Sequence, residues 1–233
     1  MTELKHTDTL SHENGTPSLR MSGCCAPVLS KVYNEDCVQG MKRFSDKYFD
    51  VAIVDPPYGL PERSGQGAGK LQNRIIQKMH QKGWDIAPTQ EYFYELFRVS
   101  KNQIIWGGNY FSELGKTRGF AIWDKEQPFE NFSACEFAWT SFDMPAKIFR
   151  EATTRTGETK IHPTQKSVKL YNWIIKTYCA GANLILDTHV GSGSSRIACE
   201  KAGLSFIGFE IDKDYYEAQE KRFKIHTMQK RLF

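Results

Sequence analysis

The sequence predicts an α/β fold built on a largely parallel sheet, and three observations carry that prediction. Strand-like apolar runs alternate with amphipathic helical stretches through most of the chain. Val51–Val54 is an unbroken apolar run, as expected of a strand covered on both faces. Near the end, "LILDTHVGSGSSRIACEKAGLSFIGFEID" reads strand, glycine loop, helix, strand, with an acid closing each strand.

Taken in order, residues 1–28 are rich in Thr, Ser, Glu, His and Gly without periodic apolar pattern, and are expected to be a disordered tail. The remaining 29–233 are expected to form one domain, since 233 residues suffice for a single sizeable core and no linker separates two. Val32 and Tyr33 form a short strand, and Val38, Met41 and Phe44 share one face of a short helix. The strand "FDVAIV" then runs into Asp55-Pro56-Pro57-Tyr58. Neither proline can donate to a ladder, so the strand must stop there.

Residues 61–85 are glycine-rich, then basic, with Arg63, Lys70, Arg74, Lys78 and Lys82 and little apolar surface. A mobile basic loop over 61–83 is expected. "TQEYFYELFRVS" is an amphipathic helix with Thr89 as N-cap. "QIIWGGNYF", "GFAIWDK" and "CEFAWTSF" read as strands, and "IFREATTRTGETKIHPTQK" as a strand followed by a polar loop. "SVKLYNWIIKTYCA" is an apolar-faced helix, after which the glycine-loop unit and a last helix complete the chain.

Composition is that of an ordinary soluble protein, with 40% hydrophobic and 25% charged residues. No run approaches transmembrane length and no signal-peptide core is visible, so a cytoplasmic protein without a membrane partner is expected. The six cysteines show neither a CxxC nor a Cys/His ligand spacing, so no metal site is expected. A net charge of +4 permits a polyanionic partner without requiring one.

Two stretches carry chemistry. Asp55-Pro56-Pro57-Tyr58 sets a carboxylate and a ring on a stiff turn at a strand end, suited to holding a small planar group. In the second stretch, Gly191 and Gly193 let a ligand approach the backbone, and the start of the helix favours an anionic group. Glu210, roughly twenty residues on, is placed to accept ribose hydroxyls. There is no third glycine at dinucleotide spacing and no Lys-Ser/Thr of a P-loop. Asp187 at the strand end would repel a pyrophosphate and suits an ammonium group instead. An adenosine bearing an amino-acid tail, S-adenosylmethionine, meets both conditions.

Together the motifs resemble those of the β-class amino DNA methyltransferases. "DPPYG" comes first, "HPTQK" (162–166) lies just upstream of the glycine loop, and "DTHVGSGSS" (187–195) comes last. "NEDC" (34–37) stands where that family contacts the cofactor adenine. The resemblance covers roughly residues 30–225 and departs from the family pattern at three points. His189 replaces an aromatic, Ser194 a threonine, and Ser167 the proline after "HPTQK".

The resemblance implies a Rossmann-like methyltransferase fold, with a mostly parallel sheet, an antiparallel edge strand and a circularly permuted motif order. It implies methyl transfer from S-adenosylmethionine to an exocyclic amine of a base flipped out of DNA. Asp55, Pro56, Pro57 and Tyr58 would be catalytic. Cofactor contacts would come from Asp36, Cys37 and Asp55, and from His162, Thr164 and Lys166 of the second motif. Asp187, His189, Gly191, Ser192, Gly193 and Ser194 of the loop would add to them, with Glu210 and Ile211 after the next strand. DNA contacts are expected from Arg63, Lys70 and Arg74, and target-pocket contacts from Trp106, Asn109 and Lys125. In the family an Asp at the first motif position favours adenine N6. The alternatives are cytosine N4 methylation and a catalytically silent nucleic-acid-binding relative. Dimers are common in this class, so a homodimer is the expectation.

Overall fold

The two covered faces expected of the central strands are realised in one eight-stranded sheet. The computed structural model describes residues 29–60, 86–127, 133–152 and 156–230. The expected tail 1–28 and the basic loop 61–83, with Arg63, Lys70 and Arg74, lie outside the described residues.

The strands are β1 (Ser30–Tyr33), β2 (Phe49–Val54), β3 (Ser100–Trp106), β4 (Phe120–Asp124), β5 (Cys135–Thr140), β6 (Lys147–Arg150), β7 (Leu184–Asp187) and β8 (Ser205–Phe209). The helices are α1 (Cys37–Met41), α2 (Gln90–Val99), α3 (Val168–Tyr178), α4 (Ser194–Ala202) and α5 (Lys213–Lys230). Strand order across the sheet is β1-β8-β7-β2-β3-β5-β4-β6. Only β5 runs antiparallel to its neighbours; the other described pairs are parallel.

The antiparallel strand therefore sits inside the sheet and not at its edge, which corrects the expectation. Ala138, Trp139 and Thr140 of β5 are buried and need cover from a strand on each side. The edge falls to β6, a short and mostly exposed strand whose Lys147 and Arg150 discourage further pairing.

Alternation along the strands feeds two apolar layers. Val51, Ile53, Ile104, Trp106 and Ile185 pack with α3 and α4 on one face. Ala52, Val54, Ile105 and Leu186 pack with α1 and α2 on the other. Ser167 caps α3 by accepting the Leu170 N–H at 3.1 Å, so the residue found where the family has proline acts as an N-cap. Thr89 occupies the cap position of α2 without a side-chain capping bond.

From β2 the sheet grows toward β3, and from β7 it grows the opposite way, toward β8. The crevice at the carboxyl ends of β2 and β7 is thus the topological switch point, where ligands gather in open α/β sheets. At the other end of the same pair, Asp50 holds the strands in register. Its Oδ2 accepts the N–H groups of Asn183 (2.9 Å) and Leu184 (3.1 Å), and Oδ1 accepts from Lys101 Nζ at 2.7 Å.

Partial burial alone would raise the Asp50 carboxyl, but Lys101 and the two backbone N–H groups outweigh it and hold it below the usual carboxylate range. A depressed folded-state pKa contributes stability that is present above the unfolded value and lost as pH falls through the folded one. Asp50→Ala should lower unfolding free energy near pH 7 by about 1–3 kcal/mol. In urea titrations the deficit should shrink on acidification below pH 3.8, the ordinary Asp value.

Candidate active site

Asp55 leaves the end of β2 with both carboxylate oxygens engaged. Oδ1 accepts the Tyr58 hydroxyl at 2.7 Å and Oδ2 accepts Lys166 Nζ at 2.5 Å. The Tyr58 ring stacks on Tyr110 (centroids 5.1 Å, planes 24° apart) and meets Phe111 edge-on at 6.2 Å. This packing explains the two glycines after β3. Gly107 lies at φ +68°, and a Cβ there would fall 2.2 Å from Tyr58 Cε1. A Cβ on Gly108 would fall 2.4 Å from Trp139 Cβ. Gly107 lets the Tyr58 ring lie directly on the backbone with its hydroxyl on Asp55, and Gly108 makes room for Trp139.

Lys166 is buried between two acids. Glu136 Oε2 lies 3.1 Å from its Nζ, within ion-pair range but without hydrogen-bond geometry, and Glu136 Oε1 meets Lys125 Nζ at 2.6 Å. The Lys166 ammonium also sits 5.0 Å from the Trp106 ring centroid. Burial alone would lower the Lys166 pKa; Asp55 and Glu136 outweigh it and hold the group charged. Burial would raise Glu136; Lys166 and Lys125 outweigh it and hold that carboxylate below its ordinary value.

The glycine loop is tied by the acids that close the neighbouring strands. Asp187 Oδ1 accepts the His189 N–H at 3.0 Å and Oδ2 accepts the Ser195 hydroxyl at 2.5 Å. Glu210 Oε2 accepts the Gly191 N–H at 2.8 Å, and Oε1 that of Asp212 at 2.9 Å. Each carboxylate oxygen has a second lone pair, so these bonds leave acceptor capacity for a ligand. Burial pushes Asp187 up to about 7 and raises Glu210 as well.

Gly191 (φ +51°) and Gly193 (φ +74°) take the left-handed conformation the turn requires. His162 of "HPTQK" covers the loop: a Cβ on Gly191 would lie 3.5 Å from its ring, and the ring meets Tyr215 at 4.3 Å. From α5, Arg222 donates to the Ser192 carbonyl (2.7 Å) and to Ser194 Oγ (2.9 Å). Its other terminal nitrogen reaches Glu158 at 2.7 Å, and Glu158 accepts the Val168 N–H at the start of α3. His189 bonds Thr188 through Nδ1 at 2.9 Å, Thr188 bonds the Tyr92 hydroxyl at 2.8 Å, and burial brings the imidazole down to about 4. His189 is therefore a neutral flat ring at pH 7.

The structure gives the other residues named from sequence the following settings. Trp106 is fully buried under Lys166 and exposes no wall to a pocket. The Lys125 ammonium, expected to face the target pocket, is paired to Glu136. Lys166 is turned to Asp55, while His162 and Thr164, which share a bond at 3.1 Å, stay on the glycine-loop side. Asp36 caps α1 through the Gln39 N–H, beside Cys37, whose partly buried thiol is pushed up to about 12. Asn109 and Ile211 are exposed.

Glu136, Tyr92 and Arg222 join the site without having been singled out from sequence. Glu136 alone carried a signal, a lone acid in the otherwise apolar strand "CEFAWT". Gly107→Ala should force Tyr58 off its seat. We expect single-turnover activity to fall about tenfold or more while ligand binding at the glycine loop is kept. Rapid-quench kinetics beside titration calorimetry would check the split.

The likeness to known proteins agrees with this geometry. A family profile described as DNA methylase matches residues 78–221. The type II methyltransferase M2.MboI of Moraxella bovis is 26% identical over 240 residues, covering 82% of this chain and 86% of that protein. The putative methylase YubD of Escherichia coli is 24% identical over 204 residues, covering 83% and 90%. Two solved structures share the fold. The M1.HpyAVI–SAM complex has a TM-score of 0.54 at 21% identity, covering 82% of this chain and 98% of that one. The cytosine-N4-specific PvuII DNA methyltransferase has a TM-score of 0.57 at 13% identity, covering 82% and 85%. With more than half its length matched by the family profile, the chain belongs to the DNA methylase family, S-adenosylmethionine-dependent enzymes that methylate exocyclic amino nitrogens in DNA.

Proposed function

We propose that this protein methylates the N6 amine of an adenine flipped out of duplex DNA, and that its residues 29–233 act as one methyltransferase domain. The observation that carries the reading is the Asp55 carboxylate, fixed by Lys166 and Tyr58 at the switch point beside the glycine loop. The family's preference for Asp at this position with adenine supports the choice of base. The cytosine-N4 specificity of the PvuII enzyme keeps cytosine as the competing reading, because the same acceptors suit its N4 amine. The names of the curated type II methyltransferases M2.MboI and M.HpaI support a place in restriction–modification, and hence in the cytoplasm.

The residues present fit S-adenosylmethionine. Gly191 and Gly193 open a backbone cradle, and Asp187 and Glu210 keep spare acceptor lone pairs on its rim. His162 and the neutral His189 offer flat surfaces. Glu210 is the candidate for the ribose hydroxyls and Asp187 for the ammonium, with Asp36, Cys37 and Ile211 on the adenine side. The cofactor, when bound, supplies an electrophilic methyl group on a sulfonium.

The chain's own residues supply orientation. An exocyclic amine is a poor nucleophile because its lone pair is delocalised into the ring. Asp55 and the Pro56 carbonyl accept its two hydrogens and turn the lone pair out of the ring plane. Tyr58 serves as the platform beside the base. Alignment accounts for much of the rate, since a held near-attack geometry removes the entropy cost of encounter. Asp55 already receives a proton donor on each oxygen, which suits an orienting acceptor better than a strong base. Arg63, Lys70 and Arg74 are assigned to the DNA backbone.

Asp55→Ala should fold and bind cofactor near normally while single-turnover methylation falls by about three orders of magnitude or more, because the alignment is required only in the transition state. Nucleoside mass analysis of methylated plasmid should yield N6-methyladenine. N4-methylcytosine would overturn the base assignment, and a wild-type rate in Asp55→Ala would overturn the catalytic one.

A further inference from the structure

The Lys166 ammonium has more negative charge around it than Asp55 alone supplies. Glu136, on β5, reaches it as well, and Lys125, just beyond β4, reaches Glu136. The four groups form a chain, Lys125–Glu136–Lys166–Asp55, with no net charge. Glu136 Oε2 is buried and lacks a hydrogen-bond partner among the described residues, an arrangement that costs stability unless the nearby ammonium compensates it. Nothing in the packing of β5 requires an acid at this position. Its next neighbour on the same face of the strand, Ala138, and its cross-strand partner, Trp123, are apolar core residues.

We propose that Glu136 is a positioning residue for methyl transfer: it shares the Lys166 ammonium with Asp55 and thereby keeps Asp55 able to accept the hydrogens of the target amine. The proposal rests on the reading of Asp55 given above. A lysine facing a single carboxylate would put its whole electrostatic pull on that group. A lysine held near two acids divides its electrostatic pull between them, keeps its hydrogen bond to Asp55 Oδ2 and leaves the outer lone pairs of Asp55 available. Lys125 completes the device by holding Glu136 ionised and turned toward Lys166. Tyr58 beside Asp55 and Tyr171 on α3 enter as neutral hydroxyls, since both phenols are raised above their ordinary pKa, chiefly by burial. His162, which feels the Lys166 charge, is brought down to about 4, chiefly by burial, and enters as a neutral ring. The effect belongs to the transition state, because the amine hydrogens are gripped hardest there.

The test is a double-variant cycle in the full-length enzyme. Glu136→Gln is close in shape and removes only the charge. It should lower the single-turnover rate at saturating cofactor and DNA about tenfold, with the cofactor Kd and DNA KM within about twofold of wild type. Lys125→Met should lower the rate less, and combining it with Glu136→Gln should add nothing, because Lys125 acts only through Glu136. The combined variant loses one charge of each sign and leaves no new buried ion unpaired, which protects the test against misfolding.

A wild-type rate in Glu136→Gln, in a protein inactivated by Asp55→Ala, would overturn the proposal and leave the role of Asp55 standing. A loss confined to KM, or fully additive effects of the two changes, would also overturn it. Full activity in Asp55→Ala would instead remove the reading on which the proposal depends.

Discussion

The site is organised by one ion pair, Lys166 with Asp55, whose partners stand 111 residues apart in the chain. Everything around it follows from having to bury that pair at the carboxyl ends of parallel strands. Asp55 must leave β2 through two prolines, so its backbone has little freedom to carry the carboxylate elsewhere. Lys166 must come from the segment before α3, and the same five residues, "HPTQK", lay His162 on the glycine loop. A single short motif therefore touches both halves of the reaction centre. Its lysine end meets the Asp55 carboxylate and its histidine end lies against the glycine loop.

The second half is set by acids used as backbone clamps. Asp187 and Glu210 both accept N–H groups from the turn they flank, so the loop is shaped before any ligand arrives. Arg222 reaches the same turn from α5 and joins it, through Glu158, to the start of α3. Carboxylates already spent in part on the protein can still accept from a ligand, because each oxygen has two lone pairs. Preorganisation of this kind lowers the ordering cost of binding, a cost that otherwise subtracts from affinity.

Much of the site could be read from the sequence where the reason for a residue is local. The strand stop at Pro56-Pro57, the glycine turn at 191–193 and the acids that close β7 and β8 each answer a backbone rule, and each appears where expected. What stayed hidden depends on contacts between distant segments. The pairing of Lys125 with Glu136, the burial of Trp106 beneath Lys166 and the latch from Arg222 all require the sheet order first. The interior place of β5 is of the same kind, since nothing local tells a strand which neighbours will flank it. Ser167 shows the reverse case. A departure from the family pattern at one position proves to be a capping residue that does the work of starting a helix.

The central claim is that Lys166 serves Asp55 and not the cofactor. The most direct measurement takes the charge-balanced variant Lys166→Met with Glu136→Gln, which removes the ammonium and one of its two acids together. Cofactor affinity by titration calorimetry and single-turnover methylation at saturating cofactor and DNA would be read on the same protein. The account predicts cofactor affinity within about threefold of wild type and a transfer rate reduced about a hundredfold or more. Lost cofactor affinity with a near-normal rate at saturation would contradict it and return Lys166 to the cofactor side of the site.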